Sequence, residues 1–139
     1  MREILVFCGL LALSGCSLIG MPSPDPKQAW IDLQVPSNNS LHAEKVDTKN
    51  WADKRYFEVQ PGSHQLTMRY QFIVEPTNIG PGADPLWRDC QLNLKFDRFT
   101  AGERYMIQAG TVGFIPWAKL YDEQRNVVGR AQPAGCQRA

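Results

Sequence analysis

The chain has 139 residues, with 15 Lys plus Arg against 14 Asp plus Glu and a formal charge of +1. It therefore carries no basic field to hold nucleic acid or anionic lipid by charge alone. Apolar residues at 43%, aromatics at 10% and charged residues at 21% exclude wholesale disorder, and the length suits one core. Eleven Gly and ten Pro predict many turns.

The first segment, Ile4 to Ser14, is an apolar run between Arg2 and a set of small residues, the layout of a secretory leader, although Glu3 offsets Arg2. The alternative is an uncleaved membrane helix from Ile4 to Met21. It would rise about 27 Å at 1.5 Å per residue, short of the roughly 30 Å hydrocarbon core, and Gly9, Ser14, Gly15 and Gly20 weaken it. The junction Leu13-Ser14-Gly15-Cys16 resembles the lipobox of bacterial lipoproteins. That resemblance implies cleavage by signal peptidase II, a lipid-bearing Cys16 and, with Ser17 next in the chain, an outer-membrane address. Such anchoring is physically stable, since each buried methylene contributes about 0.8 kcal/mol and several chains together hold far better than one. Residues 1–15 are then the leader. Residues 16–28, with Pro22, Pro24 and Pro26, form an extended lipidated tether, and 29–139 the folded domain.

Of the four Cys, Cys8 leaves with the leader and Cys16 takes lipid, so Cys90 and Cys136 remain. In an oxidising compartment they read as one disulfide, the alternatives being two independent buried thiols or a free Cys136 on a mobile tail.

Strands account for most of the remaining chain. From His64 to Val74 the even positions Leu66, Met68, Tyr70, Phe72 and Val74 are apolar, with Gln65, Thr67, Arg69 and Gln71 between them. Cys90 to Phe96 alternates in the same way, as do Tyr105, Ile107 and Ala109. The short turn Thr100-Ala101-Gly102-Glu103 predicts that these last two strands pair as a hairpin. Shorter strands are expected at Ala29 to Val35, Leu41 to Val46, Arg55 to Val59, Trp117 to Asp122 and Asn126 to Arg130. Glu75 to Trp87, with three Pro and two Gly, is expected to be irregular. Helical spacing is not sustained anywhere, and the fold expected is an all-β, single antiparallel β-sandwich of seven or eight short strands.

Two stretches carry a second resemblance. Phe57-Glu58-Val59-Gln60-Pro61-Gly62-Ser63-His64-Gln65-Leu66 and Phe99-Thr100-Ala101-Gly102-Glu103-Arg104-Tyr105-Met106-Ile107 look like strand openings of small PEGA-like and DUF2846-like β-domains of envelope lipoproteins. The resemblance implies a fold and an address without an activity.

The sequence nominates few chemical groups. His42 and His64, with Glu44 near the first, are the only imidazoles, and no metal-ligand spacing accompanies them. No nucleophile elbow or glycine-rich phosphate cradle is present, and the acidic pairs Asp84 with Asp89 and Asp122 with Glu123 lie in turns or loops. No metal or cofactor is expected. Trp30 and Trp117 read as core or rim. Trp51 and Trp87, beside charges in turn-rich stretches, are candidate partner contacts, together with a free sheet edge. The function expected is a lipid-anchored, non-enzymatic binding or assembly component of the envelope, meeting a protein or a cell-wall glycan. The alternatives are a small periplasmic hydrolase or glycan-processing enzyme using His42 and His64, and a purely structural lipoprotein.

Overall fold

Where period-two alternation persists, the chain is extended, and its apolar parity faces inward. The structure, a computed structural model, describes residues 20–75 and 80–138. Nine strands are arranged in chain order as β1 (Ala29–Gln34), β2 (Ser40–Val46), β3 (Lys49–Asn50), β4 (Tyr56–Val59), β5 (Gly62–Val74), β6 (Leu86–Phe99), β7 (Arg104–Val112), β8 (Ile115–Tyr121) and β9 (Val127–Arg138). Among the described residues there is no helix, and the fold is all-β as expected.

The strands that a sandwich would divide between two sheets are joined in one, in the order β3-β2-β5-β6-β9-β8-β7-β1-β4. The sheet is mixed rather than wholly antiparallel, because β1 runs parallel to β7, with Trp30 opposite Arg104 and Gln34 opposite Gln108. It curls around one core. Leu66, Met68, Tyr70, Phe72 and Val74 of β5 meet Leu92 and Leu94 of β6, Ile107 of β7 and Leu120 of β8 there, all essentially buried. Each such side chain contributes roughly 1.5–3 kcal/mol on burial. The two ends of the sheet approach one another: the Ala43 N–H of β2 donates to the carbonyl of Lys54, just before β4, at 3.0 Å, and Trp51 donates its backbone N–H to the Glu44 carbonyl of β2 at 2.9 Å and its indole N–H to the Tyr56 carbonyl of β4 at 2.6 Å.

The hairpin expected between β6 and β7 does not form. β6 lies between β5 and β9, and β7 between β8 and β1. Thr100 to Glu103, with Gly102 at φ 80°, is instead a corner that carries the chain from one half of the sheet to the other. Phe96, Phe99 and Tyr105 pack edge to face across it, with centroids 4.9–5.8 Å apart. β6 also begins at Leu86, inside the stretch expected to be irregular.

β9 runs to Arg138, well past the expected end at Arg130, despite Pro133 and two glycines. Its first residues pair with β8 (Lys119 opposite Arg130) and the remainder with β6 (Leu94 opposite Ala131). Each half is thus bonded on one side only. Pro133 sits in the second half, next to a register shift between Cys90 and Leu92, where a missing N–H is tolerated. Cys90 and Cys136 are direct cross-strand partners joined by a disulfide, with Cα atoms 4.0 Å apart.

The leader and Cys16 lie outside the described residues. Gly20 to Pro26, of the expected tether, has no regular structure, but its end is tied to the domain. The Asp25 N–H donates to Glu58 Oε2 at 2.8 Å, and the Gly102 N–H donates to the Gln28 carbonyl at 2.9 Å.

Candidate functional site

Burying Tyr105, Ile107 and Ala109 of β7 and Ala118 and Leu120 of β8 forces their neighbours outward. Register then sets Met106 beside Tyr121, Gln108 beside Lys119 and Gly110 beside Trp117. The parallel strand β1 adds Asp32 and Gln34 on the same face. The result is a trough of two adjoining depressions that share Gln34 and Gln108. One, of about 460 Å³, reaches Pro36, Asn39, Gly110 and Trp117. The other, of about 420 Å³, reaches Met106, Tyr121 and Arg125. Each falls within the range typical of ligand sites.

Gly110 makes the first depression possible. The Trp117 indole lies across it so closely that a Cβ there would stand 2.5 Å from Trp117 Cζ2. The Lys119 ammonium sits 5.3 Å from the Trp117 ring centroid. Gln108 Nε2 donates to Gln34 Oε1 at 2.9 Å, which fixes both amides and leaves one NH₂ and one oxygen for a ligand. Among the described residues, neither the Trp117 indole N–H nor the Tyr121 hydroxyl has a hydrogen-bond partner. The lining of both depressions contains amides, aromatic rings and Arg125 but no carboxylate.

Beyond the trough, Trp30 is held as structure. It stacks on Tyr56 at 4.2 Å, donates to Asp32 Oδ1 at 2.8 Å and lies under the Arg104 guanidinium. Arg104 in turn grips Asp32 through Nε at 2.7 Å. Burial pushes the Asp32 carboxyl up, but the hydrogen bonds from Arg104 and Trp30 outweigh it and hold the group below its ordinary value.

The remaining nominated residues are dispersed. Trp51 donates its indole N–H to the Tyr56 carbonyl at 2.6 Å and meets Tyr56 edge-on, so it packs where the two ends of the sheet approach. Trp87 is 47% exposed on β6, opposite Ile73. His42 is opposite Arg69, and His64 is five residues further along β5, about 17 Å away at roughly 3.3 Å per residue. The two imidazoles are therefore not brought together. His64 instead links two turns, with Nδ1 2.8 Å from Asp47 Oδ2 and Nε2 2.8 Å from the Gln60 carbonyl. The Gln65 N–H and His64 hold the Asp47 carboxyl below its ordinary value.

Of the acidic candidates, Asp89 and Asp122 are engaged by their neighbours. Arg69 bridges Asp89 and Glu44 at 3.1 Å each, and Asp122 Oδ1 accepts from the Gln124 and Asn126 N–H groups of its own turn. No group of three His, Cys, Asp or Glu among the described residues is placed to hold a metal ion.

Local sequence pattern does not announce the trough, although its outward parity on β7 is legible. The register that sets a glycine against a tryptophan and brings β1 alongside has no local signal. No protein-family model, curated protein or solved structure matches the chain.

Proposed function

We propose that this chain is a lipid-anchored, non-enzymatic binding module of the bacterial envelope, acylated at Cys16 and holding a sugar chain of the envelope in the trough between β1, β7 and β8. The anchor rests on the lipobox resemblance of Leu13 to Cys16, and tethering raises the effective concentration of the domain against anything near its bilayer. The observation that carries the ligand class is the pairing of Gln34 with Gln108 beside a Trp117 whose N–H is unpartnered. Fixed amides select hydroxyl and acetamido groups, and an indole supplies apolar contact to the face of a sugar ring. An open trough without a nucleophile and base suits retention rather than turnover.

Purified, full-length processed protein is tested for co-sedimentation with peptidoglycan sacculi and, separately, for binding to lipopolysaccharide. Retention by one of the two is expected, weakened at least tenfold in Trp117→Ala and Gln108→Ala. Failure to bind either, or binding that both variants retain, overturns the ligand assignment. Intact mass of the same sample tests the anchor independently: acyl chains on Cys16 are expected, and an unmodified amino terminus overturns it.

A further inference from the structure

The turn between β7 and β8 contradicts the usual chemistry of a hairpin tip. Val112 is 72% exposed, Phe114 38% and Ile115 64%, so three of the large apolar residues left open on this domain occupy one four-residue apex, Val112-Gly113-Phe114-Ile115. Val112 and Ile115 are the last paired residues, and Gly113 takes φ 62°, so the two-residue turn is tight and its apolar groups are pushed outward together. Neither internal packing nor strand pairing requires them there.

The residues behind the apex are ordered by depth. The Arg88 guanidinium carbon lies 5.9 Å from the Phe114 ring centroid. Trp117, opposite Gly110, lies two residues down the hairpin, about 7 Å at roughly 3.3 Å per residue. The backbone of Lys119, opposite Gln108, is about 13 Å down by the same measure, but its ammonium reaches to 5.3 Å from the Trp117 ring centroid. An apolar tip, then a level shared by an indole with a free N–H and an ammonium, is the order met on passing from hydrocarbon to the headgroup zone. Val112, Gly113, Phe114 and Ile115 line neither depression of the trough, so the apex gives a shaped partner no cleft there, whereas a fluid phase conforms to it.

We infer that the β7–β8 apex is a membrane-inserting finger, which dips Val112, Phe114 and Ile115 into the acyl boundary of a bilayer while Arg88 and Lys119 meet anionic headgroups. The inference deepens the anchored reading above and rests on it. Three partly inserted side chains hold a domain only weakly by themselves, so the finger fixes attitude while the lipid on Cys16 supplies residence. With the apex down, the trough rises from the membrane surface, its Trp117 end nearest the lipid and its Arg125 end furthest from it.

The test uses full-length processed protein reconstituted in vesicles of phosphatidylethanolamine and phosphatidylglycerol, with an environment-sensitive fluorophore on Val112→Cys and, in a second sample, on Gln124→Cys in the turn after β8. Emission at position 112 is expected to shift to the blue on reconstitution and to be quenched at least twofold by nitroxide lipids, with no change at position 124. Equal, unshifted emission at both positions overturns the finger. A shift at 112 that appears only when another protein is added assigns the apex to a protein partner and also overturns it. Intact mass of each sample separates this outcome from failure of the anchor: acylated protein with an unshifted probe refutes the finger alone, and unacylated protein refutes the anchored reading itself.

Discussion

Replacing both Cys90 and Cys136 by Ala removes the disulfide of the domain while leaving its ladder partners opposite one another. The two residues are 46 apart in the chain. In the chain-entropy account a loop of that length restricts the unfolded ensemble by about 4 kcal/mol at 25 °C. Against a total of about 5–15 kcal/mol for a domain, the variant remains folded with much of its margin gone. Urea unfolding monitored by tryptophan fluorescence is the assay. A drop of about 4 kcal/mol is expected, roughly 15 °C in Tm for a domain of this size. The urea dependence should also steepen, because the unbridged unfolded chain exposes more surface. Far-UV circular dichroism of the native state should not change. A loss below about 1 kcal/mol with an unchanged slope would refute the reasoning, since the bridge would then be constraining neither state.

Two further outcomes are expected from particular contacts. Gly110→Ala places a methyl 2.5 Å from the Trp117 ring. The half-exposed indole must swing off β7, which should cost about 1–3 kcal/mol as overpacking, shift the near-ultraviolet dichroism of the protein and weaken glycan retention; unchanged dichroism with full retention contradicts the trough geometry. Burial raises the phenol pKa of Tyr56, Tyr70 and Tyr105 above the ordinary value. A folded-state pKa above the unfolded one gives stability that is complete below about pH 10 and falls as pH rises beyond it. Urea midpoints between about pH 8 and pH 11.5, a range bracketing the ordinary phenol value, should therefore decline only at the alkaline end. The decline should be less steep in Tyr70→Phe, which also lacks the hydroxyl that accepts from Asn39 at 2.7 Å.

Much of the fold is legible in local pattern, and the rest is decided by pairing. Even positions from Leu66 to Val74 identify β5 and its inward face, because a half-buried strand must alternate. The same parity locates the buried residues of β6 and β7. Adjacency in sequence misleads at Thr100 to Glu103, where packing of Phe96, Phe99 and Tyr105 favours a corner over a hairpin. The second half of β9 is hidden by Pro133 and Gly135, which read as coil and are accommodated only because that half is bonded on one side. At the candidate site, Gln108 and Trp117 are visible as outward or rim residues. Gln34 reaches them only through the parallel β1–β7 pair, a contact 74 residues apart that no local signal announces.

Trp51 acts as a seal. With its indole clamped to the Tyr56 carbonyl and its own N–H on Glu44, it helps close the place where the two ends of the sheet approach. The terminal strands β3 and β4 are only two and four residues long. At these two ends, therefore, neighbouring copies meet only short rows of unpaired amides. The ends of the sheet thus give little purchase to the strand-to-strand polymerisation that exposed β edges invite.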